Sequence, residues 1–330
     1  MSDAMSTSCL IEFASRSLDL WDIPGNAEAR LINLSENATF LVTGAGGYKA
    51  VLRLHREGYH SERAITSELL WMDALRADGV IETPRVIPGR NGKAIQKWSE
   101  PTARGNRFLV LFHFIDGRAP DETGDLVPMF HELGAIAARC HDQALNWTRP
   151  PGFHRLNWNV ETVFGRFSTW GDWREAPGVN EQIQATLEAV ETTIKRRLSA
   201  YGNSPDRYNL IHADMRLANL LQESGDMRLI DFDDCGFGWL MYDFAAAVSF
   251  IEDDPRLSDF RQAWLKGYQT IRHLGSADIA EIDTFVMLRR MALLAWIGSH
   301  FEAPEPQRLA PHFAATTARL GRAWLSRQGA

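Results

Sequence analysis

Cysteine is scarce in this chain of 330 residues: Cys9, Cys140 and Cys235 are the only three. An odd number with no C-x-x-C spacing argues against a disulfide framework and a zinc site. A reducing compartment suits such a chain. Long apolar runs are missing as well, and nothing approaches the roughly 18 residues of a membrane span. The first residues lack a basic segment followed by an apolar core, so no export signal is read, and a cytoplasmic location is expected. Positive charge is in deficit, with 35 Lys and Arg against 42 Asp and Glu, a net of −7. Nucleic acid and anionic membrane both reward a cation surplus, so neither is expected as a partner. A local basic site for phosphate remains compatible with that balance. Internal repeats and low-complexity tracts are absent. What is present is an ordinary globular composition, 45% hydrophobic and 23% charged. The length suits about two domains and buries about three quarters of the unfolded surface.

Local patterns divide the chain. Arg30–Leu34, Thr39–Thr43 and Tyr48–Leu54 read as strands, separated by turns at Ser35–Asn37 and Gly44–Gly47, which together make an antiparallel meander. From Ser61 to Arg76 the period changes. Ile65, Leu69, Met72 and Leu75 recur at helical steps, with Ser61 as N-cap and Gly79 as stop. Pro84–Gly92 reads as a strand edge with a hairpin, and Arg107–Ile115 as a continuous apolar strand. Beyond Asp116 the pattern turns helical, with Phe130, Leu133, Ala137 and Cys140 on one face. Residues 146–180 carry four tryptophans among Gly and Pro, and Gln182–Leu198 is helical again. Strands return at Tyr208–His212 and in a hairpin from Leu220 to Asp231 turning at Ser224–Asp226; most of Tyr242–Trp324 is helix. The expected class is α+β and bilobal. A small antiparallel β lobe with one inserted helix (1–116) precedes a larger, mainly helical lobe (117–330), with a ligand site at their seam.

The sharpest chemical feature is His212-Ala-Asp214-Met-Arg216-Leu-Ala-Asn219, with Asp231-Phe-Asp233 seventeen positions after Asp214. Phosphoryl transfer needs such a set: one carboxylate to orient the attacking hydroxyl, and oxygen ligands to hold Mg2+ on the phosphates. Asp214 suits the first task, Asn219 and Asp231 the second. The H-x-D-x4-N spacing arises by chance only about 0.02 to 0.03 times in a chain of this composition, so a solvated loop with a capping Asp is the weaker alternative. His212 and Asp214 as metal ligands are weaker still, because no further His or Cys falls at useful spacing. His212 is read as a structural hydrogen-bonding residue.

The stretches Leu210–Leu221, Leu229–Gly238 and Tyr242-Asp243 resemble the aminoglycoside phosphotransferase-type kinases, which share the protein-kinase-like fold. Within them the chain is most similar to the branch holding type II homoserine kinases and stress-response kinases of the RdoA type. The resemblance covers about residues 28–300 and is specific around 208–245. It implies an O-phosphotransferase dependent on ATP and Mg2+, with Asp214 as catalytic base, Asn219 and Asp231 on the metal, and Asp243 bracing the catalytic loop.

Other positions are read against that template. Kinases of this fold place a strand cation on the α- and β-phosphates, paired with a helix Glu. Here Ala50-Val-Leu-Arg53 ends in Arg, which keeps the charge with a different geometry; Lys49, four residues earlier on the same strand face, is the alternative. Glu68 is the preferred partner and Glu62 the other choice. Gly44, Gly46 and Gly47 follow the second strand, where a hairpin turn fits better than a phosphate loop. The turn that would cover phosphate has no glycine, but Ser35 and Asn37 offer donors there. Arg216 either neutralises charge on the transferring group or pairs with a nearby acid. Phe112 and Phe114, within Phe112–Ile115, are expected to line an adenine slot. The Trp-rich 158–173 stretch and the helix Leu288–His300 are candidate acceptor-site elements. A small hydroxylated metabolite, homoserine-like or an amino alcohol, is the first acceptor class. A Ser/Thr protein kinase, an aminoglycoside phosphotransferase and an ATP-binding pseudokinase are the alternatives, and a homodimer is left open.

Overall fold

The structure is a computed structural model that describes residues 6–99, 106–121, 124–223 and 226–328. Its contacts form two compact units, each drawing on several stretches of chain. One holds the chain up to Ala74, Thr83–Asp116 and Pro151–His154; the other holds Leu75–Glu82, Gly117–Pro150 and Arg155 onward.

In the first unit, helix α1 (Thr7–Ser17) begins at Ser6, whose hydroxyl accepts from the Cys9 amide at 3.3 Å. Strands β1 (Glu28–Leu34), β2 (Ala38–Gly44) and β3 (Tyr48–Leu54) form the expected meander, followed by helix α2 (Glu62–Ala77) and strands β4 (Val86–Ile87), β5 (Gln96–Ser99) and β6 (Asn106–His113). The antiparallel sheet runs β1-β2-β3-β6-β4, with β5 also on β6. Gly46 and Gly47 have φ of 70° and 77° between β2 and β3, so this run is the hairpin turn, a backbone conformation that glycine adopts without steric cost. Ser61 caps α2, its hydroxyl accepting from the Ala64 amide at 3.2 Å. The apolar strand stops at His113, two residues short of the sequence expectation.

Strand alternation positions the charges. Ala50, Leu52 and Leu54 enter a core with Phe40, Val42, Leu109 and Leu111, covered by Phe13 and Leu18 of the N-terminal segment. Neighbouring residues of a strand point to opposite faces, so Lys49, Val51 and Arg53 lie on the other side.

The second unit contains α3 (Val127–Asn146), β7 (Leu156–Trp158), α4 (Val160–Phe164), α5 (Glu181–Tyr201), β8 (Tyr208–Ile211), β9 (Leu220–Glu223), β10 (Asp226–Leu229), β11 (Gly236–Trp239), α6 (Tyr242–Ala247), α7 (Leu257–Gln269), α8 (Ser276–Ser299) and α9 (Pro304–Arg327). Strand β11 is central to a three-stranded sheet, parallel to β7 and antiparallel to β8. Strands β9 and β10 pair as the expected hairpin; Ser224 and Gly225, assigned to its turn, lie outside the described residues. Helix α8 is buried almost all round from Ile282 to Ile297, the mark of a helix inside a core. Helices α3 and α7 meet backbone to backbone: a Cβ on Gly134 would strike the Trp264 carbonyl, and one on Gly267 the His131 carbonyl. Among the described residues no helix is long and apolar enough to cross a membrane.

Candidate active site

Strand β8 ends at Ile211, one residue short of the sequence expectation; His212 follows, and the chain then turns through Ala213 at φ 65°. A left-handed conformation costs a non-glycine residue about 1–2 kcal/mol, so something must hold it. Asp243, at the start of α6, accepts from the His212 amide at 3.1 Å and from the Ala213 amide at 2.6 Å. His141 Nε2 lies 2.9 Å from the same carboxylate, and His141 Nδ1 lies 2.9 Å from the Tyr268 hydroxyl. Asp243 and His141 are fully buried, so the loop hangs from a fixed point in the core. His212 is a structural member of this arrangement. Burial pushes its imidazole below the ordinary histidine value, against the pull of Asp243 and Asp214. The neutral ring accepts from the Asp214 amide through Nδ1 at 3.2 Å, so His212 helps to set the course of the loop.

Asp214 is gripped at both carboxylate oxygens. Asn219 Nδ2 donates to its backbone oxygen at 2.9 Å and to Oδ2 at 2.6 Å. Arg289 Nη2, from α8, donates to Oδ1 at 2.6 Å. Arg216 Nε stands 3.4 Å from Oδ2, and its Nη1 is 3.2 Å from Glu305 of α9. The pairing of Arg216 with a nearby acid, one of its two sequence readings, is therefore formed. Burial works against the charge on Arg216, but Asp214, Glu305 and Asp231 outweigh it and raise its pKa above the ordinary guanidinium value. Asp231 follows β10 at φ 61°, and the adjacent Ile230 amide donates to Asn219 O at 3.0 Å. Downstream, Arg155 Nε donates to Cys235 O at 2.7 Å, Trp158 Nε1 donates to Asp234 O at 2.7 Å, and Arg155 also reaches Asp233 O.

The donor set suits a hard cation. Two acceptors on Asp214 fix the Asn219 amide nitrogen, which leaves Asn219 Oδ1 for a ligand. Among the described residues no group of three or more His, Cys, Asp and Glu could hold a metal ion. One amide oxygen plus a carboxylate fits Mg2+, which keeps waters and substrate phosphate oxygens in its shell.

In the first unit, Arg53 Nη2 and Glu68 Oε1 lie 2.6 Å apart, with side chains 7% and 0% exposed. The Arg53 guanidinium is also 5.2 Å from the Phe112 ring centroid. Lys49 is half-exposed, 4.0 Å from Asp116 and 5.0 Å from the Phe114 ring centroid, and Glu62 binds Lys97 at 2.6 Å. At the β1–β2 turn the Ser35 amide donates to Asn37 O at 3.0 Å, and Asn37 Oδ1 accepts from the Arg56 amide at 3.2 Å. Sequence reasoning did not single out Glu305 or His141, and it took Arg289 only as part of a candidate acceptor-site helix rather than as a partner of Asp214. The available signal for Arg289 was a pair of arginines inside an otherwise apolar helix, where a charge is rare unless partnered.

Comparison with known proteins places these residues in context. The pattern of the phosphotransferase enzyme family matches residues 28–279. The solved structure of the microcompartment-associated aminopropanol kinase is 43% identical with a TM-score of 0.89, covering 97% of this chain and 98% of that one. An amicoumacin kinase solved in complex with AMP-PNP, Ca2+ and Ami has the same fold, at 21% identity and a TM-score of 0.75 over 96% of this chain and 94% of that one. Homoserine kinase of Pseudomonas aeruginosa is 29% identical over 235 residues, 70% of this chain and 65% of that protein.

Proposed function

This chain belongs to the phosphotransferase enzyme family, and from that premise we propose that it transfers the γ-phosphoryl group of ATP, with Mg2+, to the hydroxyl of a small amino alcohol. It is a phosphotransferase that acts on a hydroxyl group. The observation that carries the amino alcohol is the commitment of charge around Asp214. Arg289 binds Asp214, Arg216 binds Asp214 and Glu305, and Arg290 binds Glu252 at 2.5 Å. Each of these three guanidiniums is already paired with a carboxylate, which weakens its pull on an acceptor carboxylate such as that of homoserine. Buried Asp233 and Asp234, just after Asp231, favour an ammonium by charge instead. The 43% identity to an aminopropanol kinase supports the same acceptor class.

In the reaction the acceptor oxygen bonds to the γ-phosphorus as the bond to the β–γ bridging oxygen breaks. ADP leaves, and the hydroxyl proton passes to Asp214 and on to water. Asp214 Oδ1, having accepted from Arg289, keeps a lone pair for that hydroxyl and orients it for in-line attack. A Mg2+ ion on Asn219 Oδ1 and Asp231 would neutralise phosphate charge. Arg216 adds a cation beside the transferring group. In residues 1–116, assigned to nucleotide binding, Arg53 fixed by Glu68 contacts the phosphates. Ser35 and Asn37 shape the covering turn there, and Phe112 and Phe114 line the purine slot. Residues 117–330 supply catalysis and acceptor binding.

ADP release with MgATP across aminopropanol, choline, homoserine, an aminoglycoside and a generic protein tests this reading. Aminopropanol is expected to exceed homoserine by at least about tenfold in kcat/KM, a difference of about 1.4 kcal/mol. Equal turnover of homoserine would remove the amino-alcohol assignment, and protein-bound phosphate would replace it with a protein kinase.

A further inference from the structure

Two arginines adjoin on α8 and are equally buried, at 2% and 3% exposure, yet they serve different partners. Arg290 is held inside the helical core by Glu252, by the Thr317 hydroxyl at 2.9 Å and by the Phe313 ring at 3.5 Å. Arg289 points its Nη2 at Asp214, 75 residues earlier in the chain. Its guanidinium is fixed before any substrate arrives. Nε donates to the Ser249 hydroxyl at 3.1 Å, and the rings of Trp170 and Tyr242 flank it at 5.1 and 5.8 Å.

Burying a guanidinium costs several kcal/mol before pairing, and an apolar residue of similar volume often serves stability as well. The position of this charge is therefore best explained by what it holds. Asn219 restrains Asp214 through Oδ2, but Asn219 is also the residue expected to engage the metal. Arg289 restrains the carboxylate independently, through the other oxygen.

Resting on the phosphotransferase reading above, we propose that Arg289 is a positioning residue. It locks the Asp214 carboxylate so that the remaining lone pair of Oδ1 meets the acceptor hydroxyl, and Trp170, Tyr242 and Ser249 hold Arg289 itself in place. A group held by four neighbours needs no reorganisation during transfer, and a misplacement of about 1 Å in such a constellation costs about a hundredfold in rate.

The test is steady-state kinetics of Arg289→Met and Arg289→Lys beside Asp214→Asn and Arg290→Met, each with a thermal melt. Arg289→Met is expected to lose about a hundredfold in kcat with the KM for ATP unchanged. Arg289→Lys should recover part of that loss, because an ammonium supplies one donor without the planar fork. Arg290→Met should lower the melting temperature and keep kcat, the result for an arginine that only supports the fold. Wild-type kcat in Arg289→Met, or a raised acceptor KM at unchanged kcat, would overturn the assignment. If Arg289→Met does not fold, Arg289→Lys decides: a tenfold loss in kcat is expected, and wild-type kcat overturns the proposal. Activity retained by Asp214→Asn would instead overturn the phosphotransfer reading on which the proposal stands.

Discussion

Arg53 and Lys49 share one face of β3, but their surroundings separate them. Arg53 is buried against Glu68, while Lys49 reaches Asp116 from a half-exposed position. A cation held in a fixed pair can meet phosphates without first being ordered. Arg53→Ala should therefore raise the KM for ATP by at least about tenfold, roughly 1.4 kcal/mol, with Lys49→Ala close to wild type; the reverse ranking in nucleotide titrations would exchange their roles. Asp243 carries a different load, since it is fully buried, receives two loop amides and faces His141. Asp243→Ala should cost about 3 kcal/mol, seen as a lower denaturant midpoint, and should abolish turnover as Ala213 relaxes. That Asp214 and Asn219 would meet was legible in the sequence, because one loop carries both at short spacing. That Arg289 would join them was not, because only tertiary folding of α8 brings it to Asp214.

Among the elements, the meander, α2 and the long helices followed from periodicity and from turn and capping residues. Helix α1 was not anticipated, nor was the pairing of β7 with β11, whose three- and four-residue strands are too short to show a period. The contact between α3 and α7 was equally hidden, since Gly134 and Gly267 lie 133 positions apart and neither marks a turn. Both are helical glycines whose missing side chain admits a neighbouring carbonyl. Gly134→Ala should therefore destabilise the second unit by about 1–3 kcal/mol through overpacking, although alanine is the better helix former. Urea unfolding measures this, and a more stable variant would show that the helices can move apart freely.

At the scale of the whole molecule, few cysteines and a −7 charge set broad limits, and burial sharpens them. Cys140 is fully enclosed, and burial, aided by Asp243, pushes its thiol up to about 12. It is therefore protonated and inaccessible at neutral pH. Cys235 is buried as well and Cys9 is exposed. A thiol reagent should modify Cys9 alone in the native protein and all three after unfolding, as read by mass spectrometry. The sequence identified the chemistry of phosphoryl transfer before any coordinates, because that chemistry demands a rare set of oxygen ligands. The acceptor was less legible, because it depends on which charges are already paired, and pairing is a property of the folded chain. The most direct measurement is therefore phosphorus NMR of MgATP incubated with aminopropanol and either the native protein or Asp214→Asn. A new phosphate monoester, formed with ADP by the native protein and lost in the variant, is the predicted result. ADP without the ester, or the ester formed equally by Asp214→Asn, would contradict the account.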